Sequence, residues 1–251
     1  MTFVRESFIV FRRQIRMNLR NPAWVLIGVM QPVLYLVLFG PLLKPLVDDF
    51  GVENPYTFLV PGLLVQLGMF GAFFAGFGLI GEWREGVVEA ERVTPASRSA
   101  LLVGRLSRDV AQLLVQALIL VGLGWAMGMR APIDGVIIGV LLTLLVGGAC
   151  AAASNALALT TKSEDVMAPV INMVMMPVLL LSGILLPMTI GPDWLQRVSD
   201  FMPFRWIVDA VRDTFVGDLS SSHMLWGTTW SLVLFALATW WGTAVFRKEN
   251  A

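Results

Sequence analysis

Few side chains in this chain have the type and spacing to break or make a bond. His223 is the only histidine, so neither a Ser-His-Asp triad nor a histidine-based metal cluster can be assembled. A helix-end interface role is the simpler reading of His223. Cys150, the only cysteine, lies inside an apolar stretch and has no intrachain disulfide partner. No Gly-Lys pair occurs, so there is no phosphate-cradling loop, and any nucleotide hydrolysis must take place on another polypeptide. The acidic residues outside the apolar stretches are scattered and form no glycosidase-like or metal-like pair.

What stands out is a polar island, Gly81 to Gly104, with a long apolar stretch on each side. Glu82, Arg84, Glu85, Glu89, Glu91 and Arg92 fall in a short helix-compatible run. Thr94 can cap the helix that follows, and Pro95 suits its first turn. The island must sit in water. A short charged helix between two membrane spans is a docking surface, but on composition alone a solvated connector is the simpler account.

The elements that position this island follow from composition. Of 251 residues, 57% are hydrophobic and 14% charged, and mean hydropathy is +0.75. A soluble domain carries about a quarter charged residues. Apolar stretches of about 20 residues recur, each long enough to cross a bilayer as a helix. The fold class is therefore an all-α integral membrane protein, read as one transmembrane domain over residues 1–251. A formal net charge of zero gives a nucleic-acid partner no electrostatic support.

Residues 1–21 lack the apolar run and small-residue cleavage site of a signal peptide. On a helix, Val4, Phe8, Phe11, Ile15 and Leu19 make one stripe, with Arg5, Arg12, Arg16 and Arg20 on its flank. That pattern predicts an amphipathic helix in the headgroup region, basic side toward anionic lipid. Asn21-Pro22 then opens a new helix. Six spans are predicted, over about 23–43, 57–80, 107–129, 134–160, 166–189 and 223–246. Gly68, Ala72 and Gly76 allow close helix approach in the second span, and Gln66, Phe70, Phe73 and Phe77 share another of its faces. The fifth holds Pro169, Pro177, Pro187 and a methionine cluster. Residues 190–222 mix aromatics and charges at helical spacing, which predicts two short amphipathic helices at the outer interface or dipping into it, anchored by Trp194 and Trp206.

No span carries an ionisable side chain near its middle, which weakens a secondary-transporter reading. With the N-terminus inside, and Arg108 counted at the mouth of the third span, thirteen lysines and arginines lie inside. Five lie outside: Lys44, Arg130, Arg197, Arg205 and Arg212. The bias places both termini and the island in the cytoplasm.

Three stretches together carry a family resemblance. They are Gln31-Pro32-Val33-Leu34 through Gly40; Glu82-Trp83-Arg84-Glu85-Gly86 with Glu89, Thr94-Pro95, Ser97-Arg98 and Gly104; and Leu181-Ser182-Gly183 through Pro187, with Pro192, Trp194-Leu195, Pro203 and Asp209 to Arg212. In order and spacing the chain resembles permease subunits of type-2 ATP-binding-cassette exporters, in the daunorubicin-resistance branch. Val87-Val88 departs from the small polar pattern of that family.

The resemblance implies that the island is a cytoplasmic coupling helix seated on an ATPase, with the N-terminal helix beside it as a connecting helix. It implies outer re-entrant helices after span five, two permease copies pairing as a homodimer, and two ATPase subunits that hold ATP and Mg. This chain itself binds no cofactor and is no enzyme. The expected place is a bacterial cytoplasmic membrane, where spans one, two and five rotate as the ATPases close. On this reading Glu82, Arg84, Glu85, Gly86, Glu89, Thr94, Pro95, Ser97 and Arg98 make the ATPase-coupling site. Gln31, Gln66, Phe70, Phe73, Asn172 and Met176 are the candidates for the substrate path, and each is equally explained by packing. The expected cargo is an amphiphilic drug or lipid-like compound, because apolar spans with few polar groups suit one. The rivals are a polysaccharide or glycolipid exporter of the same architecture and an ATP-independent channel or secondary transporter.

Overall fold

The computed structural model describes residues 3–20, 23–46, 54–88 and 98–248. In these the secondary structure is helical: α1 (Phe3–Arg20), α2 (Ala23–Leu43), α3 (Pro55–Phe73), α4 (Ala75–Arg84), α5 (Arg98–Ala126), α6 (Ile133–Thr161), α7 (Glu164–Leu181), α8 (Asp193–Asp200), α9 (Pro203–Val216) and α10 (Ser222–Lys248). No strand occurs among the described residues. Six segments are long and apolar enough to cross a membrane, α3 and α4 counting together as one. The protein is a multi-pass, all-α membrane protein.

α6 is the axis of the bundle. Its glycines and alanines remove the side-chain bulk that would hold neighbours away, so α3, α4, α5, α9 and α10 all pack on it. Gly68 of α3 faces the Thr143 carbonyl, and Gly148 faces the Phe235 ring of α10. By contrast α2, α7 and α10 turn Leu42, Met173, Leu180, Leu237 and Trp240 outward. In lipid, exposed apolar side chains need no cover.

The second crossing is broken in two. Ser154 of α6 donates its hydroxyl to the Phe73 carbonyl and accepts the Gly76 N–H at 3.0 Å. A side chain inserted into the helical ladder is a recognised cause of a kink. Phe77 N–H consequently bonds to Phe74 O, one residue short of the α-helical pattern. Gly76 permits the insertion, since a Cβ there would stand 2.7 Å from Ser154 Oγ.

Two boundaries differ from the sequence expectation. α5 starts at Arg98, not near Ser107, because helix continues through the charged residues that precede the apolar run. α7 ends at Leu181, well before Thr189, because Gly183 takes a left-handed φ of 73° that closes the helix. Of the two short helices expected after span five, α9 is the one that dips inward: Ile207, Val208, Ala210, Val211 and Phe215 are wholly buried against α3, α6 and α10. α8 stays at the periphery, with Trp194 and Phe201 exposed.

Candidate functional site

α1 lies along α5, and Gly104 lets them touch: a Cβ there would sit 2.7 Å from Val10. The face α1 turns to the bundle carries Glu6, Val10 and Gln14. The apolar stripe faces away, with Phe8 exposed and Phe11 and Ile15 half-exposed, and Arg5, Arg12 and Arg16 point to the surroundings. The side chains of Val4, Leu19 and Arg20 lie outside the described ones.

Under α1 runs a polar network. Glu82, in the last turn of α4, accepts from Gln14 Nε2 at 3.0 Å through one carboxylate oxygen and from Arg105 Nη2 at 2.7 Å through the other. Gln14 Oε1 accepts in turn from Arg108 Nη1 at 3.1 Å. Arg108 pairs with Asp109 at 2.6 Å, and Asn155 of α6 lies beside Asp109. Three helices, α1, α4 and α5, are thus joined by charge-assisted bonds that are stronger than neutral ones. Arg105 is only 2% exposed and Glu82 13%. Sequence reasoning missed Gln14, Arg105, Arg108 and Asp109. The available signal was three ionisable residues at the start of an apolar helix.

The next turn is different. Arg84, Glu85 and Gly86 are exposed, and Gly86 has a φ of 74° that a non-glycine residue would adopt only with strain. Arg84 reaches Glu164 at the start of α7 at 3.0 Å, and Lys162 Nζ stands 5.9 Å from the Trp83 ring centre. Glu89, Thr94, Pro95 and Ser97 lie outside the described residues; Arg98 opens α5, and its side chain is likewise outside them.

The expected path residues do not gather on one wall. Gln66 is 1% exposed and sealed inside the bundle, and neither of its amide atoms has a hydrogen-bond partner. Phe70 and Phe73 pack beside the core. Gln31, bonded to the Tyr35 hydroxyl at 3.2 Å, lies on the outward face of α2, and Asn172 and Met176 lie on that of α7.

The family model for the ABC-2 type transporter matches residues 5–216. The chain belongs to the ABC-2 type transporter family. Similar curated proteins include the putative transport permeases ycf38 of Cyanophora paradoxa, 27% identical over 89% of this chain and 77% of the relative, and of Porphyra purpurea, 28% identical over 77% and 68%. The probable multidrug ABC transporter permease YbhR of Escherichia coli (strain K12) is 24% identical over 82% of this chain and 58% of that relative. ABC-2 chains are the membrane component of such transporters, not the ATPase, and normally pair with an ATP-binding cassette subunit.

At the opposite end of this ABC-2 bundle sits a second charged group. Arg205 bonds to Asp200 and Ser199 and lies 3.6 Å from Asp209, which is 3.6 Å from Arg212. Asp213 pairs with His223 at 2.9 Å, and the Trp206 ring lies against those of His223 and Trp226. Burial holds the Asp209 carboxyl above its usual range, while Arg212, His223 and Arg205 pull it back. Burial pushes the Arg212 guanidinium down to about 10, so it stays protonated at neutral pH.

Proposed function

We propose that this chain is the permease subunit of an ATP-driven exporter, a homodimer in a bacterial cytoplasmic membrane with both termini in the cytoplasm. A separate pair of ATPase subunits holds ATP and Mg, and the cargo is an amphiphilic drug or lipid-like compound. The observation that carries the reading is the contrast between two adjacent turns. Arg84-Glu85-Gly86 is exposed for docking, while Glu82, one turn back, is fastened to α1 and α5. A force applied at the exposed turn is delivered to three helices at once. Arg84, Glu85 and Gly86, continued by Glu89, Thr94, Pro95, Ser97 and Arg98, make the docking surface; Glu82 transmits.

ATP binding closes the ATPase pair, the docked turns are displaced, and the passage is exposed to alternate sides. Gln31, Asn172 and Met176, polar or adaptable groups on otherwise apolar outward faces, suit a cargo that is mostly hydrocarbon. Gln66, Phe70 and Phe73 contribute only where the bundle opens.

The test is co-expression with a candidate ATP-binding-cassette ATPase from the same genome, followed by purification into lipid nanodiscs and measurement of ATP turnover. Wild type is expected to co-purify and turn over ATP, and Glu85→Arg to lose both. A wild-type permease that binds no ATPase yet moves solute alone overturns the reading.

A further inference from the structure

The segment after α7 is fastened by one side chain. A helix end leaves carbonyls without intrahelical partners, and the chain beyond Leu181 has no regular ladder to supply them. Arg212 of α9 supplies two: its Nη2 donates to the Gly183 carbonyl at 2.7 Å and to the Ile184 carbonyl at 3.0 Å. The guanidinium carbon lies 4.0 Å from the centre of the Phe58 ring of α3, and Asp209 stands 3.6 Å away as counter-charge. Arg212 therefore touches α3, α9 and the 182–187 segment together. A second contact locks two of these parts, α3 and the segment. Gly62, one turn along α3 from Phe58, has no room for a Cβ because the Ile184 carbonyl presses on it. Ser182 and Ile184 are wholly buried in consequence.

We propose that Arg212 is a positioning residue for transport: it fastens residues 182–187 to α3 and α9, so that the three travel as one body through the cycle and the passage opens elsewhere. The inference rests on the exporter reading for its cycle, but the fastening stands without it. Lysine cannot fully replace arginine here: one nitrogen, Nη2, serves both carbonyls while a second, Nη1, faces Asp209 and the flat guanidinium lies over the Phe58 ring, and an ammonium has neither the second nitrogen nor the plane. Releasing the segment would strip a buried cation of its partners, which favours a body that moves whole over one that opens.

The experiment places a reporter cysteine at Ser182, in a Cys150→Ala background, in nanodiscs that expose both membrane faces. The probe is a charged, membrane-impermeant maleimide. Slow labelling is expected for Ser182→Cys alone. Adding Arg212→Lys or Arg212→Met is expected to speed labelling by about tenfold or more, because the label reads the local opening equilibrium. The lysine variant keeps the measurement decisive if the methionine variant does not fold. Equal labelling with and without Arg212 overturns the fastening. In the ATPase complex trapped with ATP and vanadate, Ser182→Cys is expected to stay protected; labelling there shows that the segment opens and overturns the single-body claim. If no ATPase complex forms, the exporter reading falls, and labelling of the isolated permease still decides whether Arg212 fastens the segment.

Discussion

Glu82 and Arg105 meet at 2.7 Å across a charged stretch of chain, and almost none of the arginine is exposed. Removing one partner of such a pair strands the other charge, at a cost of about 3–5 kcal/mol, whereas replacing both with apolar groups is close to neutral. Glu82→Met and Arg105→Met are each expected to lower the melting temperature in detergent markedly, and the double variant to recover most of the loss. A double variant that melts no higher than the worse single one would show that the pair is not the unit.

Arg84 and Glu164 also pair, yet half of each side chain is exposed. Screened pairs of this kind contribute about 0–1 kcal/mol. Arg84→Glu is therefore expected to leave the melting temperature within a degree or two while reducing ATPase co-purification. Loss of stability in step with loss of binding would assign Arg84 a structural role instead.

Gly135 of α6 faces the Thr214 carbonyl of α9 with no space for a methyl group. Gly122 of α5 has nothing near its Cβ position. Gly135→Ala is expected to destabilise by about 1–3 kcal/mol through overpacking, and Gly122→Ala to be neutral or to stabilise by up to about 1 kcal/mol through helix propensity. Thermal denaturation of the two variants side by side checks both signs.

Arg5, Arg12 and Arg16 all point away from the bundle on α1. A basic side chain near an anionic surface gains about 1 kcal/mol. Wild type is expected to melt higher in nanodiscs of anionic lipid than in zwitterionic ones, and the triple glutamine variant to lose that difference. Persistence of the difference in the variant would place the lipid-sensing charge elsewhere.

Much of the architecture was legible because lipid demands long apolar helices, and length with hydropathy finds those. The short helices after span five were legible from aromatics and charges at helical spacing. The burial of α9 was not, since Ile207, Val211 and Phe215 make the same stripe on a surface helix as on a core helix. Glu82 reads from sequence as one more solvated charge in a polar run. Its partners, Gln14 and Arg105, are distant in the chain, and only the close approach of α1 to α5 at Gly104 reveals them. On α1, the usual rule that apolar faces pack inward is reversed: Phe8 is exposed, while Glu6 and Gln14 are buried on the face toward α5. The break after Phe73 depends on Ser154, hidden in a small-residue run that suggests only close packing.

That break has a mechanical consequence. α4 is a rod of ten residues, about 15 Å long, pinned at one end by Ser154 and carrying Arg84 at the other. A swing of about 10° about the serine would move the Arg84 tip by about 2–3 Å, by the helical rise alone, while α3 need not tilt at all. The second crossing is thus a short lever on a fixed post, and Ser154 is its fulcrum.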